Sequence, residues 1–295
     1  MKKTTLLRTM INERKALVCP GAHDVISAKL IEQAGFKALQ ISGFGLSATY
    51  LGLPDMAFLS FTDMLDFSRN IIQAVSIPVI VDADTGFGNA ISAMRVTEQF
   101  ILAGAAGMNI EDQVFPKRCG HMEGKRIISI DEMVMKIGAC KEKRDSLDPD
   151  FIINARTDAI AVAGVDEAIK RGNAYAEAGA DLIFVEAPRT REDIIKVVKE
   201  IDCPVSINLF DAVIGGKTPV MPISELRKMG VARVSIPVGT TFAAVKGVKN
   251  YLEAIKNDQI APGRTDLVCL FEEFKDIVGY DYYRGLEGKF LPKSE

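Results

Sequence analysis

A short phrase recurs along the 295 residues, in which a glycine preceded by alanine or methionine is followed closely by an apolar run. It occurs as AGFKALQIS from Ala34, AGAAGMNIE from Ala103, AGADLIFVE from Ala178 and MGVARVSIP from Met229. Glycine often ends a helix, because it adopts positive φ without steric cost. The phrase therefore predicts a helix that ends on glycine and leads into a β-strand.

Four further apolar runs lie between these phrases, each with a proline or another turn former at or near its start. They are ALVCP at Ala16, PVIVDAD at Pro78, FIINARTD at Phe151 and PVSIN at Pro204. Together the two sets make eight predicted strands. The intervening segments, such as EAIKRGNAYAEA from Glu167 and REDIIKVVKEI from Arg191, have apolar residues at helical spacing and are predicted as helices.

This alternation of strand and helix decides the fold class. Near-continuous apolar strands are typical of a parallel sheet covered by helices. Eight βα units in about 250 residues predict an α/β protein with a closed (β/α)8 TIM barrel, and an open doubly wound sheet is the alternative. We expect one domain over residues 1–295, with a C-terminal helical extension over about 243–295. There AAVKGVKNYLEAIKN and LVCLFEEFKDIVG indicate helices, whose apolar faces must be buried against the barrel or a neighbouring subunit.

Charge and composition narrow the class of partner. A formal net charge of −3 gives no electrostatic case for nucleic acid or an anionic membrane. No stretch approaches the roughly 20 apolar residues of a membrane span, and the N-terminus has no apolar signal-peptide segment. The 5 scattered cysteines, without CxxC spacing, favour neither a disulfide framework nor a structural zinc site. We expect a cytoplasmic protein with a small-molecule substrate.

The carboxyl ends of the predicted strands are the next constraint, because TIM barrels carry their functional groups there. Candidate functional residues, nearly all of them polar, stand at six of these ends: Ser42 and Gly43, Asp82 and Asp84, Glu111 and Asp112, Arg156 and Asp158, Glu186, and Asn208. Several carboxylates and one arginine should therefore converge on one rim.

Three of these acids indicate a metal. Asp82 and Asp84 point the same way on one strand, and Glu111 ends the next strand. Carboxylate oxygens are the hard ligands that magnesium prefers, and so many acids together would be costly without a cation. Helix capping or pairing with surface lysines is the alternative for any single acid. The set predicts a site for magnesium, with manganese as a second choice.

Arg156 and Asn208 are candidates for substrate binding. Arg156 can offer a two-pronged hydrogen bond to a carboxylate, or it can form a structural ion pair with Glu186 or Asp158, and the two roles are compatible. Asn208 can donate to a second carboxylate or an enolate oxygen, or it can form a strand-end turn.

The polar loop PKRCGHMEGK, residues 116–125, has the composition of a mobile lid. It contains Cys119, whose thiolate would be favoured near Lys117, Arg118 and His121, so that the thiol could transfer protons near neutral pH. The alternative for a lone cysteine is an inert small hydrophobe. The polar, glycine-flanked context favours chemistry.

These segments resemble the isocitrate lyase and phosphoenolpyruvate mutase superfamily over nearly the whole chain. The motifs are SGFG at Ser42, LGLPD at Leu51, DADTGFG at Asp82, NIEDQ at Asn109, KRCGH at Lys117, ARTDA at Ala155 and VEAP at Val185. KRCGH is the most specific, because it resembles the signature of the lyase branch, whereas the phosphonate-forming mutase and the phosphonopyruvate hydrolase lack its cysteine. The resemblance implies a carbon–carbon lyase.

The resemblance also implies roles for individual residues. Asp84 would bind magnesium directly, and Asp82, Asp55 and Glu111 would hold it largely through water. The groups that bind substrate would be Ser42, Gly43 and Phe44 for the pyruvoyl or glyoxyl end, Arg156 for its carboxylate, and Gly120, His121 and Asn208 for the other product.

Cleavage would follow loss of the 2-hydroxyl proton and would give a 2-oxo acid and a carbanion. By the same resemblance, Cys119 would protonate this carbanion, assisted by Glu186 or His121. The family also implies exchange of the last barrel helix between subunits in a dimer of dimers.

Departures from the family pattern bear on the substrate. Methylisocitrate lyases generally have a tyrosine where Gln40 stands, and Asn-x-Thr-Glu-Phe-Gly in place of the strand-seven segment NLFDAVIGGKTP. Phe44, HMEGK, VEAP and GGKTP resemble the dimethylmalate lyase, petal death protein and oxaloacetate hydrolase group. We therefore expect a substituted malate similar to 2,3-dimethylmalate, with methylisocitrate cleavage or oxaloacetate hydrolysis as alternatives and phosphoryl transfer as a lower-ranked one.

Overall fold

The computed structural model of the protein describes residues 1–119, 124–257 and 262–292. It divides into two compact units, Met1–Thr240 and a second unit that begins at Thr241. The second unit begins two residues before the predicted C-terminal extension.

Eight parallel strands form a closed barrel in the first unit, and each coincides with one of the eight apolar runs. The strands are β1 (Leu17–Ala22), β2 (Leu39–Ile41), β3 (Val79–Asp82), β4 (Gly107–Glu111), β5 (Ile152–Thr157), β6 (Leu182–Val185), β7 (Val205–Asn208) and β8 (Arg233–Ile236). The ring closes where β1 pairs with β8, with Leu17 opposite Arg233. The predicted (β/α)8 barrel is confirmed, and the open sheet is excluded.

Helices surround the barrel and supply its outer apolar layer. In the first unit they are α1 (Lys3–Asn12), α2 (Val25–Gln33), α3 (Gly43–Leu46), α4 (Phe61–Ala74), α5 (Ala90–Ala103), α6 (Ile130–Leu147), α7 (Ala159–Ala163), α8 (Val165–Glu177), α9 (Arg191–Glu200) and α10 (Ile223–Lys228), and a π-helical turn follows α3 at Ser47–Leu51. The helices predicted from Glu167 and from Arg191 are α8 and α9. In the three described ranges, no helix combines the length and apolar character needed to cross a membrane.

The recurring glycine follows a helix at each of its four positions. Gly35, Gly104, Gly179 and Gly230 have φ values of +87°, +89°, +109° and +86°. Only glycine enters this region without strain. The repeat in the sequence is thus a repeat of helix ends, each placed just before a strand.

Helix α1, which is not predicted from the sequence, covers the end of the barrel where the strands begin. Its Leu7 and Ile11 are fully buried and pack with inward-facing residues such as Ile80 and Leu182. Arg8 fixes the helix through an ion pair of 2.9 Å with Asp181. The base of the barrel is therefore closed by apolar packing.

Above this base the barrel interior is polar. Its buried side chains are those of Gln40, Asn109, Asn154, Ser206, Arg233 and Ser235. Bulky aliphatic residues usually fill such layers in TIM barrels. A polar layer so close to the strand ends forms the floor of a binding cleft.

The C-terminal part contains α11 (Gly239–Lys256), α12 (Phe271–Val278) and α13 (Tyr280–Phe290). The sequence predicts the first two, although α12 begins only at Phe271, and it does not predict α13. These helices expose large apolar side chains, including Val245, Val248, Leu252, Ile255, Phe271, Tyr282, Tyr283 and Phe290. Exchange of a helix with a second subunit stays a prediction.

Candidate active site

A cleft of about 520 Å³ lies at the carboxyl ends of the strands. The predicted site residues that line it are Ser42, Phe44, Asp55, Asp82, Glu111, Cys119, Arg156, Glu186 and Asn208. Gly43 and Asp84 adjoin the cleft through hydrogen bonds to Asp82. Gly120 and His121 lie outside the described residues, so their roles stay predictions.

Asp82 organises the backbone at the ends of β2 and β3. Its Oδ2 accepts a hydrogen bond of 3.1 Å from the Gly43 N–H, and its Oδ1 accepts one of 3.1 Å from the Asp84 N–H. A Cβ on residue 43 would lie 2.7 Å from Asp82 Oδ2, so a larger residue there would displace the Asp82 carboxylate. Because both oxygens already accept N–H groups, Asp82 suits a role in holding a metal through water.

Asp84 enters the site from a strained backbone, with a φ of +44° that residues other than glycine rarely adopt. Its carboxylate is buried, and Oδ1 lies 2.7 Å from the Nζ of Lys117. Burial raises the pKa of Asp84 to about 7; Lys117 opposes this rise, and the charges of Asp82 and Asp55 add to it. A carboxylate in these surroundings is stabilised in its charged form by a cation beside it.

Glu111 adds a second buried carboxylate. Its Oε1 has no hydrogen-bond partner among the described residues, whereas its Oε2 lies 3.3 Å from Arg156 Nε. Burial raises the pKa of Glu111 well above its ordinary value, although Arg156 opposes the rise. A buried oxygen of this kind fits a divalent cation or one of its water ligands.

The four acids fit magnesium held mainly through water. Within residues 1–119, 124–257 and 262–292, no three acidic, histidine or cysteine side chains converge closely enough to coordinate one ion directly. Magnesium usually keeps several water molecules when it binds to protein carboxylates. The arrangement therefore suits Asp84 as a direct ligand, with Asp55, Asp82 and Glu111 binding the coordinated water.

Lys117 lies inside this acid cluster, whereas the sequence places it beside the Cys119 thiol. Its Nζ is 2.6 Å from Asp55 Oδ1 and 2.7 Å from Asp84 Oδ1. Burial alone would lower the pKa of Lys117, but the carboxylates of Asp84 and Asp55 outweigh burial, and the pKa is raised well above its ordinary value. Lys117 thus supplies positive charge to the cluster and fastens the start of the loop.

Arg156 forms the predicted structural ion pairs through two of its nitrogens, and the third, Nη1, remains available to a ligand. Its Nε and Nη2 donate to Asp158 at 2.9 and 3.1 Å, and Nη2 lies 3.6 Å from Glu186 Oε2. In the described chain, no residue accepts from Nη1. Because Arg156 lines the cleft, Nη1 can bind a substrate carboxylate without breaking the other pairs.

Lys125 anchors the end of the loop, a role that the sequence does not predict. Its Nζ donates to Asp158 Oδ1 at 2.7 Å, and the two side chains are only 1% and 0% exposed. Burial alone would raise the pKa of Asp158, but Arg156 and Lys125 hold it well below its usual range. Asp158 therefore stays ionised and ties the loop to the arginine of the site.

Asp112 lies behind the site rather than in it. Its carboxylate accepts hydrogen bonds from Thr157 Oγ1 at 2.7 Å, Tyr175 OH at 2.8 Å and Arg171 Nη1 at 3.1 Å. The side chain is fully buried and does not line the cleft. Asp112 therefore joins β4, β5 and α8 and has a structural role. Its position in the sequence, at the end of a strand, is the same as that of the acids that line the cleft.

Glu186 and Asn208 form a pair across the ends of β6 and β7. Asn208 Nδ2 lies 3.3 Å from both carboxylate oxygens of Glu186, which is 0% exposed. Asn208 Oδ1 is buried and has no hydrogen-bond partner among the described residues. The pair therefore presents a carboxylate and an amide oxygen in the cleft.

Cys119 lines the cleft, as expected for a proton donor to a bound intermediate. Its backbone N–H donates to the Asp55 carbonyl at 3.3 Å, which joins the loop to the acid cluster. The residue is 9% exposed. A thiol in this position can reach a ligand while bulk water is largely excluded.

One wall of the cleft is apolar. Phe44 and Phe210 meet edge to face with centroids 6.0 Å apart, and Ser42 caps α3 by accepting from the Gly45 N–H at 3.2 Å. Pro237 and Val238 also line the cleft, whereas the Phe184 ring lies under the Arg156 guanidinium, with 5.2 Å between the guanidinium carbon and the ring centroid. The cleft therefore combines groups that bind carboxylates with a surface that accepts alkyl substituents.

Comparison with known proteins agrees with this geometry. Residues 7–256 match the profile of the phosphoenolpyruvate phosphomutase family. The 2,3-dimethylmalate lyase of Eubacterium barkeri is 41% identical over 290 residues, which cover 98% of this chain and 99% of that protein. The 2-methylisocitrate lyase of Aeropyrum pernix is 37% identical over 98% of this chain and 92% of its own length.

Solved structures are similar as well. Oxaloacetate acetylhydrolase with the inhibitor 3,3-difluorooxalacetate has a TM-score of 0.92 and 30% identity, and the comparison covers 100% of this chain and 99% of that chain. A crystal structure of 2,3-dimethylmalate lyase has a TM-score of 0.91 and 31% identity, with coverage of 100% and 97%. Phosphonopyruvate hydrolase with oxalate and Mg²⁺ has a TM-score of 0.88 and 32% identity, with coverage of 99% and 100%.

Proposed function

The chain belongs to the phosphoenolpyruvate mutase and isocitrate lyase superfamily and is a carbon–carbon lyase, and we propose that it cleaves a substituted malate such as 2,3-dimethylmalate. The observation that carries this choice is the apolar wall of Phe44, Phe210, Pro237 and Val238, which lines the same cleft as the carboxylate-binding groups. Such a wall stabilises alkyl branches, which oxaloacetate lacks. The similarity to 2,3-dimethylmalate lyase supports the same substrate class.

Magnesium is the proposed cofactor, with manganese as the alternative. Asp84 would hold the ion directly, and Asp55, Asp82 and Glu111 would hold it through water. When bound, the ion supplies positive charge that stabilises the oxygens of the 2-hydroxy acid as they become more negative. The Mg²⁺ complex of phosphonopyruvate hydrolase, a similar structure, supports this choice.

The protein side chains have distinct tasks in the proposed reaction. Arg156 Nη1 binds the carboxylate next to the reacting carbon, and Ser42 and Gly43 hold the adjacent oxygen. The 2-hydroxyl proton passes to a base in the acid cluster, a C=O bond forms at that carbon, and the electron pair of the broken C–C bond remains on the departing fragment. The Cys119 S–H then protonates this carbanion, with Glu186 as its proton partner. The products are a 2-oxo acid, such as pyruvate, and a carboxylate.

An assay of purified protein with Mg²⁺ tests the proposal. Pyruvate release from 2,3-dimethylmalate is the expected result. Cys119→Ser should lose most turnover while it still binds oxalate, since the thiol acts after binding. Asp84→Ala should abolish turnover, because it removes the direct metal ligand. Absence of a 2-oxo acid from every substituted malate tested would contradict the proposal.

Three other reactions are separate outcomes of the same assay. Pyruvate and succinate from methylisocitrate would indicate the activity of the Aeropyrum pernix relative. Oxalate and acetate from oxaloacetate would indicate a hydrolase. This alternative is tested because the structure of oxaloacetate acetylhydrolase is similar to this chain, with a TM-score of 0.92. Phosphonopyruvate from phosphoenolpyruvate would indicate phosphoryl transfer. This reaction is tested because the matched family profile is that of phosphoenolpyruvate phosphomutase.

A homo-oligomer, arranged as a dimer of dimers with exchanged C-terminal helices, is the proposed assembly. Exposed apolar residues on α11, such as Val248 and Leu252, support burial by a second copy. Light scattering should give the mass of a tetramer, and Leu252→Asp should shift it toward the monomer. A monomeric wild type at micromolar concentration would contradict this assembly. A cytoplasmic location is also proposed, because no disulfide joins the cysteines in the described part of the chain.

A further inference from the structure

Gln40 occupies the floor of the cleft, and its amide has a fixed orientation. The residue lies on β2, two positions before Ser42, and is 3% exposed. Arg233 Nη2 and Ser235 Oγ both donate to Gln40 Oε1, the latter at 3.0 Å. Because arginine can only donate, the atom that faces Arg233 must be the amide oxygen. The Nε2 group is therefore directed away from Arg233 and Ser235.

The N–H groups of Gln40 are available to a ligand. In the described part of the chain, no residue accepts a hydrogen bond from Nε2, and the side chain lines the cleft. Buried amide donors normally have an acceptor. A substrate oxygen on the floor of the cleft would provide one.

Arg233 adds an unusual positive charge below Gln40. The side chain is fully buried, and within the described residues it has no acidic partner, while its Nε has no hydrogen-bond partner. Nη1 donates to Ser206 Oγ at 3.2 Å and, in the amide orientation that satisfies Asn154, to the oxygen of that residue at 3.1 Å. A buried charge without a counterion is costly. An anion bound above Gln40 would offset part of this cost.

We infer that Gln40 is a specificity-determining residue, which donates to the substrate carboxylate farthest from the acid cluster. This inference rests on the proposed function, in which Arg156 and the cluster bind the 2-hydroxy acid end. Gln40 lies two residues deeper than Ser42, about 7 Å by strand rise. A four-carbon dicarboxylate spans that depth, whereas oxalate is too short. Methylisocitrate lyases generally have a tyrosine at this position. Gln40 instead offers the two N–H groups of its amide, and the positive charge of Arg233 lies below them.

Calorimetry with two unreactive probes, succinate and oxalate, tests this assignment in the presence of Mg²⁺. Gln40→Glu preserves shape and the acceptor for Arg233 and Ser235, but it replaces the donor with a carboxylate oxygen. We expect the succinate Kd to rise by at least about tenfold and the oxalate Kd by less than about threefold. Gln33→Glu, the same change at an exposed position of α2, should alter neither Kd.

The remaining outcomes decide against the assignment. Unchanged succinate binding in Gln40→Glu, equal weakening of both probes, or no succinate binding by the wild type would overturn it. If Gln40→Glu does not fold, Gln40→Met removes the donor without adding charge and should show the same selective loss. Wild-type protein that binds succinate through Gln40 but cleaves no 2-hydroxy acid would contradict only the proposed function. Cleavage of 2,3-dimethylmalate with unchanged probe binding in the variant would contradict only this inference.

Discussion

Replacing Asp158 with asparagine should lower the free energy of unfolding by about 3 kcal/mol. Asp158 accepts hydrogen bonds from Arg156 at 2.9 and 3.1 Å and from Lys125 at 2.7 Å. Removing one partner of a buried ion pair costs about 3 to 5 kcal/mol, because the other charge loses its compensation. We take the lower value, since asparagine keeps one acceptor and Arg156 retains Glu111 and Glu186 nearby.

Urea unfolding followed by circular dichroism measures this loss by linear extrapolation. Glu98→Gln is a matched control, since Glu98 pairs with Lys143 at 3.3 Å but both side chains are partly exposed. Exposed pairs contribute at most about 1 kcal/mol. A loss for Asp158→Asn no larger than that of the control would refute the reasoning.

The pH dependence gives a second check on Asp158. The folded protein holds its pKa well below the unfolded value of about 3.9, because Arg156 and Lys125 outweigh burial. A carboxyl whose pKa is depressed by folding contributes its full stability above the unfolded pKa and loses it as the pH falls toward the folded pKa. The difference between wild type and Asp158→Asn should therefore stay constant from about pH 8 to about pH 5. A difference that already shrinks in that interval would contradict the assignment of the charge.

Three further changes test other parts of the structure. Tyr175→Phe removes the hydroxyl that donates to Asp112 at 2.8 Å, and should cost about 1 to 3 kcal/mol of unfolding free energy in the same urea assay; unchanged stability would contradict the buried network. Gly43→Ala places a Cβ 2.7 Å from Asp82 Oδ2, so the proposed lyase kcat should fall by at least about tenfold; wild-type turnover would show that this contact relaxes freely. Mg²⁺ at about 100 times its Kd should stabilise the wild type by about 2.7 kcal/mol in thermal unfolding. Asp84→Asn should lose this shift, and its persistence would exclude Asp84 as the direct ligand.

Much of the fold is encoded locally, which explains why the barrel could be predicted. Each recurring glycine, such as Gly104 with its φ of +89°, marks the end of a helix in the sequence itself. Helix α1 was missed because its role depends on contacts of Leu7 and Ile11 with distant strands. Helix α13 contains Gly285 and Gly288 in its interior, and glycine weakens a helix prediction.

The candidate site could be predicted only in part, for a similar reason. The position of Asp84 or Glu111 at a strand end follows from counting residues along each strand. The pairing of Lys117 with Asp55 spans 62 residues, and nothing in the composition of the loop separates this buried lysine from an exposed one. For Asp112 the prediction fails in the opposite direction. The sequence predicts that it lies on the rim of the barrel, but its carboxylate binds Arg171 and Tyr175 behind the strands. Side-chain direction depends on partners that adjacent residues do not specify.

The closed base of the barrel has a consequence for the order of events during turnover. Leu7 and Ile11 fill the end opposite the cleft, so the described barrel offers one passage, at the strand ends. Two fragments formed inside would have to leave through the same opening that admitted their precursor. If the far carboxylate rests on Gln40, the fragment nearer the opening leaves first and the deeper one leaves last. Because Leu7 and Ile11 close the base, the two products would be released in a fixed order. The product released last would bind to the same empty site as the next substrate and would therefore inhibit competitively.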